Sequence, residues 1–311
     1  MCRVTVSAYE FLERFPDEAA ARRHMEEVRW AGRPRCPFCG GEERIQRRKL
    51  DGWFRCLACQ KDFTVRVGTI FERSHVPLNK WLYAMYLLAT ARKGVSSLQL
   101  AKELGVTQKT AWYMLQRLRE ACGRDDDDGQ GPGRYLAGIV EADETYVGGK
   151  ESNKHESRKL KAGRGSVGKT PVLGLRQRGG EARAKVISGP SASEIQAQVV
   201  AAVAPGAVLC TDEHAAYRGM PQYDHRAVKH SAKEYVDGMA HTNGIESIWA
   251  VLKRGFYGVY HSFSRKHLQR YLDEFTFRLN EGNCKVHTLD RIEALLRRAV
   301  MGRTSYAEIT A

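Results

Sequence analysis

No apolar run in this sequence comes near the ~20 residues that a helix needs to cross a bilayer. The longest, WLYAMYLLATA, stops well short and reads as a buried helix. Acid is scarce as well: 36 Asp and Glu face 50 Lys and Arg, a formal net charge of +14 over 311 residues. Such an excess draws polyanions, so nucleic acid, an anionic membrane or an acidic protein surface are the partners it suggests. The stretch MCRVTVSAYEFLERFPDEAAARRH lacks the apolar core of a secretory signal, and a cytoplasmic protein is expected. Thiols stay reduced there, which turns eight cysteines toward metal ligation or core positions and away from disulfides. No repeat of solenoid period is found. Wholesale disorder is excluded too, because 42% hydrophobic and 28% charged residues lie in the ordinary globular range.

What is present falls into two halves of different pattern. Residues 7–30 alternate apolar and charged positions at near-helical spacing and predict one helix that gives out at Gly32 and Pro34. A second helix is predicted over 77–92, and two more on either side of Gly105. GRDDDDGQGPG, residues 123–133, holds no hydrophobic residue and marks the domain boundary. Beyond it come short β-like runs, YLAGIVEAD, TPVLGLRQ and EARAKVISGP, then a helix over 191–203, then AVLCTD and HRAVKHS, and last helical segments from 242, over 264–280 and over 288–300. The fold class is multidomain α+β, with a mixed α/β sheet flanked by helices in the C-terminal part.

Cys36, Cys39, Cys56 and Cys59 form two C-x2-C pairs separated by sixteen residues. That spacing suits tetrahedral thiolate coordination of Zn²⁺ by two knuckles at the ends of a hairpin, and four thiolates leave no position open for catalysis. A zinc-dependent hydrolase is therefore disfavoured. Arg44, Arg47, Arg48 and Lys49 lie between the knuckles, followed by Trp53 and Phe54. They make either a basic, aromatic hairpin that contacts nucleic acid or a solvated charge run beside a core tryptophan. Cys2, Cys122, Cys210 and Cys284 have no comparable spacing and read as ordinary thiols.

LQLAKELGVTQKTAWYMLQRL puts Leu98, Ala101 and Leu104 on one helical face, a turn at Gly105, and a cap at Thr107 before a second helix. This is a helix-turn-helix pattern, with Gln108, Lys109 and Thr110 at the start of the recognition helix. The same pattern also describes a plain helical hairpin. A zinc module and a strong positive charge beside it favour DNA.

Phosphoryl transfer on DNA with two Mg²⁺ ions ~4 Å apart needs carboxylates delivered by different elements. Asp143 is expected to end the strand LAGIVEA, and Asp212 follows AVLC. Glu246 lies in HTNGIESIWAVLKRGF, where Asn243, Glu246, Ala250 and Lys253 share one helical face. Asp143 and Asp212 are 69 residues apart, and Asp212 and Glu246 are 34 apart. Glu141, Glu144 and Glu213 read as solvated surface acids, Glu141 on the face of Asp143 and Glu144 on the other.

The spacing resembles the D, D, ~35, E arrangement of RNase H-like integrases and transposases. RFPDEAAARRHMEEVRW, the cysteine ribbon, VGTIFERSHVPLNKWLYAMYLL, LAKELGVTQKTAWYMLQRLR, EADETYVGGK, TDEHAAYRG and HTNGIESIWAVLKRGFYGVYHSFSRKHLQRYLDEFTFRLN are similar, in the same order, to the ISXO-like DDE transposases of bacterial insertion sequences. The resemblance implies a helical segment over 1–34, a zinc ribbon over 35–66, a helix-turn-helix region over 67–123, a linker over 124–134, an RNase H-like catalytic domain over 135–285 and a helical tail over 286–311. It implies Asp143, Asp212 and Glu246 as ligands of two Mg²⁺ or Mn²⁺ ions, with Asn243 as a further site residue, and His241 just before it in the same motif. Lys253 and Arg254 are expected to meet phosphate, and Arg47, Arg48, Gln108, Lys109 and Thr110 to meet element ends. The implied chemistry is release of a 3′-hydroxyl at the element end and its attack on target DNA. The implied partners are double-stranded DNA and further copies of the chain, a homodimer or larger, at the nucleoid. The alternative is a DNA-binding regulator on a catalytically inactive scaffold of the same kind. The lysine- and arginine-rich connection GGKESNKHESRKLKAGRGSVGKT is expected to meet phosphates only when DNA is bound.

Overall fold

The computed structural model describes residues 4–124, 135–149, 155–160, 166–212, 214–227, 241–281 and 286–310. Most of the linker, Glu213, Cys2, Cys284 and parts of the basic connection and of HRAVKHS lie outside them. The chain divides into two compact units, one formed by Met1–Asp126 with Glu281–Ala311 and the other by Asp127–Asn280.

The first unit begins with two helices where one was expected: α1 (Ala8–Arg14) and α2 (Glu18–Trp30). Pro16 cannot supply an interior N–H, and Asp17 caps α2 by accepting from Ala20 N–H at 2.7 Å. A three-stranded antiparallel ribbon follows, β1 (Ile45–Arg47), β2 (Phe54–Cys56) and β3 (Asp62–Phe63). It is held to α2 by aromatic packing: Trp30 meets Phe54 edge-on at 5.2 Å, and Phe54 stacks on Phe63 at 5.5 Å. Next come α3 (Leu78–Thr90), buried on most of its circumference as its apolar run predicts, α4 (Ser97–Leu104) and α5 (Gln108–Cys122). Gly105 turns the chain in the left-handed region, φ +61°, and Thr107 caps α5 by accepting from Thr110 N–H at 3.2 Å.

The second unit is a five-stranded sheet built from β4 (Ile139–Val147), β5 (Thr170–Gln177), β6 (Ala182–Val186), β7 (Val208–Thr211) and β8 (Asp224–Ala227), in the order β6-β5-β4-β7-β8. The first three strands are antiparallel, and β7 and β8 run parallel to β4. This is the RNase H-like arrangement. Helix α6 (Ala192–Ala202) covers one face, burying Ile195 and Val199 among Val140, Ala142, Leu173 and Leu209. Helices α7 (Asn243–Gly255) and α8 (Leu268–Asn280) cover the other, where Ile245, Trp249, Leu252, Leu272 and Phe275 pack with Val147 and Val172. A five-residue π-helical turn, Phe256–Tyr260, ends α7. Two α8 amides close the β6 edge: Asn280 Oδ1 accepts from Ala182 N–H at 2.8 Å, and Gln269 Oε1 accepts from Val186 N–H at 2.9 Å.

The last two helices, α9 (Thr288–Val300) and α10 (Tyr306–Thr310), belong to the first unit. Instead of a separate tail, α9 is a core helix that packs against α2, α3 and α5. It buries Ile292, Leu295, Leu296 and Ala299, and Arg291 donates to Ala89 O at 3.2 Å. Burying three large aliphatic side chains contributes about 1.5–3 kcal/mol each, comparable together to a typical domain stability of about 5–15 kcal/mol. A fragment ending at residue 124 is therefore expected to lose cooperative unfolding and near-ultraviolet dichroism. Adding a peptide of residues 281–311 in trans should restore both.

Candidate active site

The parallel ladder between β4 and β7 sets the site. Its last pair is Glu141 with Cys210, and Asp143 and Asp212 each stand two residues further along their own strand, close enough for the Asp212 charge to act on Asp143. Strand β7 stops at Thr211, and the Asp212 carboxylate turns the chain by accepting from His214 N–H at 3.0 Å. Asp143 does not end its strand, contrary to expectation. β4 runs on to Val147 because Glu144 to Val147 stay paired with β5. What ends beside Asp143 is the ladder on the β7 side.

Asp143 is fixed by α7. Trp249 Nε1–H donates to its Oδ2 at 3.0 Å. The indole reaches it over Gly174, the residue paired with Asp143 on β5, where a Cβ would overlap the Trp249 ring. Burial raises the Asp143 pKa to about 6, helped by the charges of Glu144 and then Asp212. Glu144 lies on the opposite face of β4, as the alternation predicts, but it is no solvated acid. It accepts the phenol hydrogen of buried Tyr217, and burial pushes its own pKa up. Burial also raises the Tyr217 phenol, with the Glu144 carboxylate adding to the effect. Glu141 departs further from a surface role: it is 1% exposed and accepts from Arg178 Nε and from Ile245 N–H, each at 2.8 Å.

Helix α7 presents Asn243, Glu246, Ala250, Lys253 and Arg254 to solvent, while Ile245, Ile248, Trp249 and Leu252 face the sheet. Glu246 accepts from Thr242 Oγ1 at 3.1 Å. Asp143 and Asp212 thus share one electrostatic neighbourhood. Glu246 is not gathered with them into a group compact enough to hold an ion. The oxygen-only donors at Asp143 and Asp212 fit a hard divalent cation, which would relieve the like-charge repulsion acting on Asp143.

In the first unit, among the described residues, the four cysteines alone form a cluster with metal-binding compactness, their sulfurs all within 4.8 Å of one another. Cys36 and Cys59 sulfurs are 3.6 Å apart, as are those of Cys39 and Cys56. A zinc tetrahedron with ~2.3 Å bonds has edges of about 3.8 Å, so the thiols fit. Backbone N–H groups of Cys59, and then of Ala58, hold the Cys56 thiol down to about 7. Around the hairpin, Phe54 is core whereas Trp53 is 41% exposed. Trp53 lines an open groove of about 650 Å³ with Arg48, Lys49 and Leu50. Arg47 lies over the Phe54 ring at 5.2 Å, and Arg48 pairs with Asp62 at 3.7 Å. On α4 Leu98, Gln99, Lys102 and Glu103 are exposed, and along α5 the first turn is open, since Met114 to Arg119 are buried. There Lys109 is exposed, Gln108 Nε2 donates to Ser97 Oγ at 2.9 Å, and the Thr110 hydroxyl bonds that of Thr107 at 2.9 Å.

Comparison with known proteins matches residues 135–280 to the ISXO2-like transposase domain and residues 16–62 to a transposase zinc-ribbon domain. An uncharacterized protein in transposable element ISH50 of Halobacterium salinarum is 31% identical over 282 residues, covering 86% of this chain and 92% of that one. The chain belongs to the ISXO2-like transposase family. A solved structure described as a pre-cleavage Mos1 transpososome is 13% identical over 68% of this chain and 75% of its own, with a TM-score of 0.24, too low to bear on the fold. In this transposase-family chain sequence reading misassigned Glu141 and Glu144 as surface acids and passed over Gly174, Tyr217 and Trp249. A signal was present for the first: alternation puts Glu141 on the same inward face as Asp143, where an acid needs a partner.

Because the folded pKa of Asp143 lies above its ordinary 3.8, ionisation there opposes folding. Its contribution to stability is intact below about pH 4 and is lost as the pH rises through about 6. Asp143→Asn, without added divalent ion beyond zinc, is therefore expected to stabilise the second unit by about 1–2 kcal/mol near pH 7.5, after discounting for partial exposure. The gain should shrink toward pH 4. Thermal melts of both proteins across that range check it, and no gain near pH 7.5 would refute the burial argument.

Proposed function

We propose that this chain is the transposase of an insertion sequence, which binds the ends of its element and cuts and joins DNA with divalent metal ions. The observation that carries the reading is the pair Asp143 and Asp212, each two residues past the last β4–β7 pair of an RNase H-like sheet and coupled by charge. Family membership supports it. Asp143, Asp212 and Glu246, with Asn243 as a further site residue, would hold two Mg²⁺ or Mn²⁺ ions. When bound, such ions supply activation of the attacking oxygen and neutralisation of the leaving one. Trp249 holds the Asp143 carboxylate in one orientation. Lys253 and Arg254, exposed on α7, engage strand phosphates. The products are a 3′-hydroxyl at the element end and then its joint to target DNA.

Cys36, Cys39, Cys56 and Cys59 hold one structural Zn²⁺ that keeps the ribbon folded on α2. End recognition falls to the ribbon, through Arg47, Arg48 and Lys49, and to the first turn of α5, with Lys109 as its open side chain and Gln108 and Thr110 available once released from Ser97 and Thr107. The +14 charge favours double-stranded DNA as the partner. Joining two ends calls for at least two copies of the chain on DNA, in the cytoplasm at the nucleoid. No helix among the described residues is long and apolar enough to cross a membrane. The alternative reading is a DNA-binding regulator on a catalytically inactive scaffold of the same kind.

Two experiments follow. Elemental analysis is expected to give about one zinc per chain, lost in a Cys36→Ser, Cys56→Ser variant; a metal-free, fully folded wild type would exclude the ribbon metal. Asp212→Asn keeps the side chain's shape and removes the charge that attracts a hard cation. End-DNA affinity, read by anisotropy, should stay within a few-fold of wild type, because binding rests on the first unit. Strand cleavage with Mg²⁺ or Mn²⁺ should fall by orders of magnitude. Near-normal cleavage removes Asp212 from the site, and a wild type that binds ends without cutting them establishes the regulator.

A further inference from the structure

Of the two acids on β4 that the catalytic scheme does not require, Glu141 and Glu144, Glu141 is buried to 1% exposure. Glu141 spans two elements far apart in sequence. Its Oε2 accepts from the backbone N–H of Ile245, in the first turn of α7, at 2.8 Å. Its Oε1 accepts from Arg178 Nε at 2.8 Å, and His241 Nδ1 lies 3.5 Å from the same oxygen. The other arm of the guanidinium returns to the same place, Arg178 Nη2 donating to the His241 carbonyl at 2.8 Å. One carboxylate and one guanidinium thus grip the backbone on both sides of the α7 start, at His241 and at Ile245.

Gly244 shows independently how closely this grip is drawn. A Cβ on Gly244 would meet Glu141 Oε2 at 2.5 Å and Arg176 Nη1 at 2.7 Å. Its φ is not in the left-handed region, so the need for glycine comes from the approach of the carboxylate and not from backbone freedom. The segment so held is the one that carries Asn243 and Glu246, and Glu141 is two residues from Asp143 on the same face of β4.

We infer that Glu141 is a positioning residue: with Arg178 it clamps the first turn of α7 to β4 and so sets where Asn243 and Glu246 stand relative to Asp143. This rests on the transposase reading for its functional meaning, though the clamp itself is a statement about the fold. The carboxylate is spent on the protein's own N–H and guanidinium groups, so it contributes no oxygen to a metal. It fixes the frame in which the acids can meet one. A displacement of the helix start by about 1 Å is enough to cost ~100-fold in a reaction that depends on alignment.

The test uses the full-length zinc-loaded chain and three variants: Glu141→Gln, Gly244→Ala, and the double Glu141→Gln, Arg178→Met, which removes both charges and leaves neither buried alone. Two readouts are taken. The first is hydrogen–deuterium exchange of the peptide covering 241–250, with peptides from β5 and β6 as internal references. The second is Mn²⁺-dependent cleavage of end DNA, resolved into kcat and KM. All three variants are expected to exchange about tenfold faster at the α7 start while β5 and β6 keep wild-type protection. Cleavage should lose about 100-fold in kcat with KM for DNA within threefold, and the Mn²⁺ concentration for half-maximal rate should rise. Should Glu141→Gln fail to fold, Gly244→Ala and the double variant carry the test. Wild-type exchange at 241–250 in the folded variants overturns the clamp. Faster exchange with an unchanged kcat overturns the positioning role and leaves the transposase reading standing. If the wild type cuts no DNA, the transposase reading fails by itself, and the exchange data still decide the clamp.

Discussion

A carboxylate inside a sheet costs several kcal/mol unless something answers its charge, and β4 carries three within four residues. Each is answered differently. Glu141 meets a guanidinium and a helix N–H, and its charge is compensated within the protein. Glu144 meets a phenol on the other face. Asp143 receives an indole N–H and the backbone N–H of Glu144, yet burial, helped by the charges of Glu144 and Asp212, lifts its pKa toward neutrality. The deficit at Asp143 is a local property of the fold, and a cation placed there would meet it. The helix that supplies the indole also supplies the N–H for Glu141, so α7 is docked by the same strand whose acids it serves.

The first unit is organised by a different economy of parts. Its ribbon is too small to bury a core of its own, and it leans on Trp30 of α2 through Phe54 and Phe63. Helix α2 in turn leans on α3 and α9. Thiol geometry, aromatic packing and a helix from beyond the second unit therefore share the task of holding the first unit together, with Trp53, Lys49 and the first turn of α5 left exposed.

Much of this was legible in the sequence for physical reasons. The C-x2-C pairs were readable because thiolate coordination demands that spacing. The turn at Gly105 and the cap at Thr107 were readable because few residues satisfy those backbone positions. The order of β4 to β8 followed from period-2 runs and family resemblance. Other features were hidden because they depend on pairs distant in the chain. That β4 continues past Asp143 is decided by β5, whose pairing overrides the hint that an acid should end a strand. That Glu141 is buried is decided by Arg178 and the start of α7. The break between α1 and α2 was visible in Pro16 and Asp17, but the helical periodicity on either side masked it. The placement of α9 could not be read from its own amphipathic pattern, which says that one face is buried and not against what.

The return of α9 to the first unit also orders events in time. The segment that completes the N-terminal core is translated only after the whole second unit, roughly 8–30 s later at ordinary bacterial elongation rates of about 5–20 residues per second. During that interval the ribbon and helical pair exist on the ribosome without the helix that closes their core. A nascent chain therefore completes its N-terminal core after the acids of the sheet have been made, and a chain broken off before residue 288 lacks the helix that closes that core. Completion of the N-terminal core is in this way tied to synthesis of nearly the whole chain.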